Sequence, residues 1–138
     1  MIVFNPSEVM GLHLTLQHKQ WLKRVIRNEG LVPGDLEYVF CTDEEMLQWN
    51  VQFLQHDTYT DIITFDNRVG DLVSGNIIIS TDRIADNAKS FGVTEQEELM
   101  RVLVHGVLHL CGYPDKKPEE AVVMRQKENE ALAVLHAM

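Results

Sequence analysis

A chain of 138 residues, 45% of them hydrophobic, is long enough to bury one hydrophobic core, and a single domain over residues 1–138 is expected. The formal net charge of −9 argues against coating a nucleic-acid duplex through many phosphate contacts, so any nucleic-acid site must be local. Two cysteines, Cys41 and Cys111, make no disulfide framework and point to reduced thiols in a cytoplasm; no apolar run reaches a bilayer span and MIVFNPSEV lacks a signal-peptide pattern, so no membrane association is expected.

In chain order, MIVFN reads as a first strand. After an irregular stretch, a helix runs from about Gln17 to Glu29 and stops at Gly30. It carries Lys19, Lys23, Arg24 and Arg27 around an apolar stripe of Trp21, Leu22, Val25 and Ile26: a solvated helix face or a local basic surface for RNA. DLEYVFC reads as a strand. Thr42 and Glu45 form a capping box that opens a helix with Met46, Leu47, Asn50, Phe53 and Leu54 on one face.

DIITFD, from Asp61 to Asp66, and GNIIIS, from Gly75 to Ser80, read as strands, the second buried on both faces, with NRVGDLVSG between them as a hairpin or longer loop. STDRIADNAKSFG then reads as a short helix whose apolar side holds Ile84, Ala88 and Phe91 and whose end is Gly92. A second capping box, Thr94 with Glu97, opens a helix from about Glu95 to Cys111 that ends at Gly112. Pro118, with Glu119 and Glu120 behind it, suits the first turn of a last helix with Met124, Leu132 and Leu135 on its core side. Strands do not alternate regularly with helices and the last third is helical, so the expected class is α+β: a small mixed sheet of about four strands with about five helices.

The chemistry concentrates in LVHGVLHLCGYPDK, from Leu103 to Lys116. Successive helical residues turn by about 100°, so His105 and His109 lie one above the other. Leu99, Leu103, Val107 and Leu110 make one apolar stripe and Met100, Val104, Leu108 and Cys111 another, leaving Glu98, Arg101, Val102, His105 and His109 as the strip that lines a cleft. Gly106 leaves room beside His105 for another backbone or a ligand. Gly112 can end the helix and Pro114 can stiffen a turn that returns Asp115 to the two imidazoles. His, three residues, His, five residues, Asp suits one zinc ion with a fourth position open, although two histidines at this spacing also occur as core or helix-surface residues.

At this point the residues resemble a family, the YbeY metal-dependent endoribonucleases of ribosomal RNA processing. Their signature, HGxLHLxGYDH, is matched by HGVLHLCGYPD at His105 to Asp115 except at its last two positions; TDIITF at Thr60 to Phe65 and GNIIIS at Gly75 to Ser80 resemble the family's TDVLSF and GDIVIS strands. The resemblance spans roughly Asn50 to Glu128. It implies a small mixed sheet against several helices and a zinc ion held in a cleft by three histidines, of which His105 and His109 are present and the third is replaced by Asp115. A set of two imidazoles and one carboxylate also suits iron or manganese. The resemblance further implies an Arg ahead of the TDVLSF-like strand, where this chain has Leu54; Arg101, one turn before His105, is the expected substitute for binding the scissile phosphate, the alternative being a surface pair with Glu97 or Glu98. Thr60 and Asp61 are expected to border the cleft or to cap the strand after them.

The function implied is hydrolysis of single-stranded RNA in small-subunit ribosomal RNA maturation and ribosome quality control. Its partners would be ribosomal RNA and the small subunit or its associated factors, with no nucleotide cofactor, and the nucleophile would be water or the RNA's own 2′-hydroxyl. Two other readings compete. A ribosome-associated binding factor could use the metal structurally. A zinc peptidase of the H-E-x-x-H type would need a general base at position 106, where this chain has Gly.

Overall fold

Three consecutive isoleucines, Ile77, Ile78 and Ile79, are all buried, which suits a strand covered on both faces. In the computed structural model, which describes residues 1–49 and 61–138, that strand is the centre of the fold. The main sheet has four strands. In chain order they are β1 (Ile2–Asn5), β4 (Val32–Cys41), β5 (Ile62–Asp66) and β6 (Leu72–Ser80), and across the sheet the order is β1-β4-β6-β5. β1 and β6 flank β4 in parallel, while β5 runs antiparallel to β6, so the sheet is mixed as expected. The stretch before the first helix holds a two-residue hairpin, β2 (Glu8–Val9) with β3 (Leu12–His13), too short to leave a periodic signal.

Five helices are seen among the described residues: α1 (Leu16–Asn28), α2 (Asp43–Trp49), α3 (Thr81–Phe91), α4 (Glu95–Leu110) and α5 (Pro118–His136). Alternation divides the sheet. Leu36, Tyr38, Ile77 and Ile79 join the larger core with α1 and α4, whereas Cys41, Ile63 and Ile78 meet Met46 of α2 on the other face. None of the described helices is long and apolar enough to cross a membrane.

Two buried hydrogen bonds tie the helices that matter to this frame. Tyr38 Oη donates to the carbonyl of Leu103, fixing the middle of α4 on the sheet, and Trp21 Nε1 donates to the carbonyl of Ala131, fixing α1 to α5. Gly106 makes the first contact close. A Cβ there would lie 2.9 Å from Ile77 Cγ2 and 3.1 Å from Ile62 Cδ1, so the missing side chain admits the sheet rather than a ligand. Ile77 is fully buried and branched at Cβ, so it cannot yield. Gly106→Val should therefore destabilise the fold by about 1–3 kcal/mol, read as a lower urea midpoint.

Three expectations change. β4 and β6 each begin three residues earlier than the strands read from sequence, because Val32 and Pro33 pair with Leu72 and Val73. Pro33 and Gly34, which look like breakers, are absorbed by a register irregularity between Pro33 and Leu36, and the connection shrinks to a tight hairpin closed by Val69 and Leu72. Phe91 has the right helical phase for the core side of α3, yet it is 61% exposed and takes no place in the core. Asn50, Phe53, Leu54 and Thr60 lie outside the described residues.

Candidate metal centre

α4 begins as its capping residues dictate. Thr94 Oγ1 accepts from the Glu97 amide at 3.0 Å, and the apolar stripes then bury Leu99, Leu103, Val107 and Leu110. His105 and His109 face the remaining side, half-buried, with rings edge-on at 85° and centroids 4.6 Å apart. At the far end the Gly112 amide donates to the His109 carbonyl, and Arg68, from the β5–β6 hairpin, donates through Nη1 to the carbonyl of Cys111 at 3.0 Å. These bonds fix where the chain leaves the helix. The following turn is held by Tyr113, whose hydroxyl donates to Glu29, which also pairs with Lys127 at 3.4 Å.

That turn returns Asp115 to the histidines. Its Oδ2 lies 3.2 Å from His105 Nε2 and 3.3 Å from His109 Nε2. Two ligand atoms at tetrahedral positions about 2.1 Å from one ion sit about 3.4 Å apart, so the spacing fits a bound zinc ion. Among the described residues these three form the one cluster of metal-donor side chains, with donor atoms all within 4.8 Å of one another. Cys111 is close in sequence but takes no part. Burial pushes its thiol up to about 11, so it stays protonated at neutral pH.

The side chain that sequence reasoning missed is Glu128, on α5. It is only 5% exposed, and its Oε2 lies 2.6 Å from His105 Nδ1 while its Oε1 accepts from Arg101 Nη1 at 2.9 Å. An ionised carboxylate can only accept, so Nδ1 carries a proton whatever the charge on the ring, and Nε2 is the nitrogen left to meet an ion. This carboxylate–histidine pair is the usual support for a metal-binding imidazole. Burial pulls the His105 pKa down, but the hydrogen bond and charge of Glu128, with Asp115 and Asp61 behind it, outweigh burial and hold it above the usual value. Burial likewise pushes Glu128 up, and the hydrogen bonds from His105 and Arg101 bring it below the usual carboxylate value.

Arg101 lines the same cleft, but not as a free cation. Its partners are neither Glu97 nor Glu98: Nη1 binds Glu128, and Nη2 donates to Asn129 Oδ1 at 2.9 Å. Arg125 of α5 stands nearby, more exposed, 3.8 Å from Glu128. The cleft, about 260 Å³, is completed by Asp61, Glu98, Val102 and Met124. Burial and then the Asp61 charge raise the Glu98 pKa against the pull of the two arginines. The four cations of α1 do not border this cleft; Trp21, Leu22, Val25 and Ile26 turn that helix's other face into the core.

The family model for endoribonuclease YbeY matches residues 7–136. Relatives named endoribonuclease YbeY include one from Flavobacterium johnsoniae, 47% identical over 99% of this chain and 98% of its own, and one from Bacteroides thetaiotaomicron, 50% identical over 83% of this chain and 84% of its own. A Thermotoga maritima protein solved in solution superposes with a TM-score of 0.71 at 27% identity, covering 98% of this chain and 89% of that one.

Proposed function

The chain belongs to the YbeY endoribonuclease family, and from that membership we propose that it cuts unpaired ribosomal RNA in the cytoplasm during small-subunit maturation and quality control. His105, His109 and Asp115 hold the ion, zinc in the first instance. The observation that carries the reading is the convergence of His105 Nε2, His109 Nε2 and Asp115 Oδ2 beside an open cleft. A divalent ion bound there supplies positive charge to the phosphodiester oxygens and acidity to water.

The chain's own residues do the rest. Glu128 holds the Nδ1 proton of His105 and so aims Nε2. Arg101, fixed by Glu128 and Asn129, adds positive charge to the cleft wall where the transition state gains negative charge, and Arg125, less constrained, meets the incoming backbone. Position 106 faces Ile77 and Ile62 of the sheet, so a general base of the peptidase kind has no place there.

The test is cleavage of an unpaired RNA taken from small-subunit ribosomal RNA by protein stripped with chelator and then reloaded with zinc. Activity should vanish on stripping and return on reloading. Cleavage that survives stripping and His105→Ala would overturn the metal assignment, and equal cutting of any unpaired RNA, with no preferred ribosomal position, would overturn the assignment to maturation. The product ends separate the nucleophiles, since attack by the 2′-oxygen leaves a cyclic phosphate.

A further inference from the structure

Phe91 is the last residue of α3, and Gly92, at φ +67°, turns the chain away just behind it. Its ring borders two cavities at once. One is the 260 Å³ cleft that holds His105 and Asp115; the other, about 760 Å³, is walled by Val93, Met100, Leu132 and Leu135. Glu98, Arg101 and Arg125 also border both, so the two run together along α4. The exposed ring at that junction presents a flat apolar face to whatever enters the two cavities.

We propose that Phe91 is the platform on which an unpaired base of the RNA substrate stacks, beside the phosphate held at the metal centre. The inference rests on the nuclease reading above. Along the cleft that the ring borders, Glu128 already holds the Arg101 guanidinium, while the carboxylates of Asp61 and Glu98 stand apart from the three metal donors. A neutral base offers a flat apolar face to Phe91 and amino groups to these carboxylates, leaving the backbone phosphates to the metal centre and Arg125. Continuity with the metal cleft selects RNA over a protein segment. Stacking tolerates any base, so the platform positions the strand without dictating sequence.

The experiment uses metal-loaded protein and a short unpaired oligoribonucleotide, intact or with one abasic position. Phe91→Ala should raise KM about tenfold, with the metal content and urea midpoint of wild type, because the ring is not part of the core. Phe91→Trp should restore KM, and in stopped flow its indole emission should fall on mixing with RNA, before cleavage. Moving the abasic position along the oligonucleotide should reveal one site at which wild type and Phe91→Ala become equal.

A KM unchanged in Phe91→Ala, or a difference that persists at every abasic position, would overturn the platform while leaving the nuclease intact. If wild type cuts no RNA, the nuclease reading fails. The emission of Phe91→Trp then still decides whether a base stacks there, because an unchanged signal overturns the proposal by itself.

Discussion

His109→Ala should lower bound metal from about one ion per chain to near none and remove RNA cleavage, with the fold retained. The argument is one of ligand count. Removing a residue that merely orients a ligand costs roughly 10–100-fold in metal affinity, so removing one of three direct donors costs more than about 100-fold. The fold survives because His109 is a half-buried residue on the cleft side of α4, while Leu103, Val107 and Leu110 carry its packing. Asp115→Ala should behave alike, because Oδ2 is the third convergent atom. Asp115→His is the more telling variant. It restores the last position of the family signature, keeps three donors, and raises the charge of the loaded site by one by replacing an anion with a neutral imidazole. Metal should be retained, with preference moved toward zinc and away from manganese. Elemental analysis of the four proteins, purified side by side, checks the whole series. Metal lost from His109→Ala but kept by Asp115→Ala would remove the carboxylate from the site.

The convergence of His105, His109 and Asp115 was legible because its signal is local. Two histidines four apart in an apolar helix, a glycine stop and a returning aspartate lie within eleven consecutive positions, His105 to Asp115, and short-range geometry brings them together. The mixed sheet was legible for a similar reason, since Ile77 to Ile79 reads as a doubly covered strand without knowledge of its neighbours. What escaped depends on partners distant in sequence. Arg101 is the right kind of residue on the right face, but its neighbour is Glu128, 27 positions on, rather than Glu97 or Glu98 on its own helix. Phe91 has core phase, yet phase says only which way a residue points and not whether a wall stands opposite. The early starts of β4 and β6 escaped because the sequence cannot show that Val32 and Pro33 have Leu72 and Val73 to pair with. A faint signal for Glu128 did exist: it follows Met124 by four residues and precedes Ala131 by three, which puts a carboxylate in the buried stripe of α5. A lone charge in such a stripe asks for a partner.

That partner is what Glu128→Ala removes, and the loss should be large in two separate measurements. Arg101 and His105 would lose their shared acceptor in a largely buried place, which should cost about 3 kcal/mol of stability, and His105 would lose the bond that selects its tautomer, which should weaken metal binding by about 10–100-fold. Glu128→Gln separates the effects. Its amide oxygen can still accept from His105 Nδ1, so metal affinity should stay within about tenfold of wild type while the charge is gone. Metal-free protein then gives a pH test whose sign follows from the two displaced pKa values. His105 is held above its ordinary 6.5, so its contribution is complete below 6.5 and is lost as pH rises through the raised value. Glu128 is held below its ordinary 4.5, so its contribution is complete above 4.5 and is lost as pH falls through the depressed value. Together they make the pair most stabilising between 4.5 and 6.5, and urea midpoints of metal-free wild type should exceed those of metal-free Glu128→Gln by the widest margin in that window. Metal reverses the preference on the imidazole. An ion at Nε2 needs that nitrogen unprotonated, so zinc affinity should fall as pH drops through the raised His105 value, and should fall at lower pH in Glu128→Gln, where the imidazole is easier to deprotonate. A margin independent of pH, or a zinc profile identical in the two proteins, would mean that Glu128 shapes the cleft without governing His105.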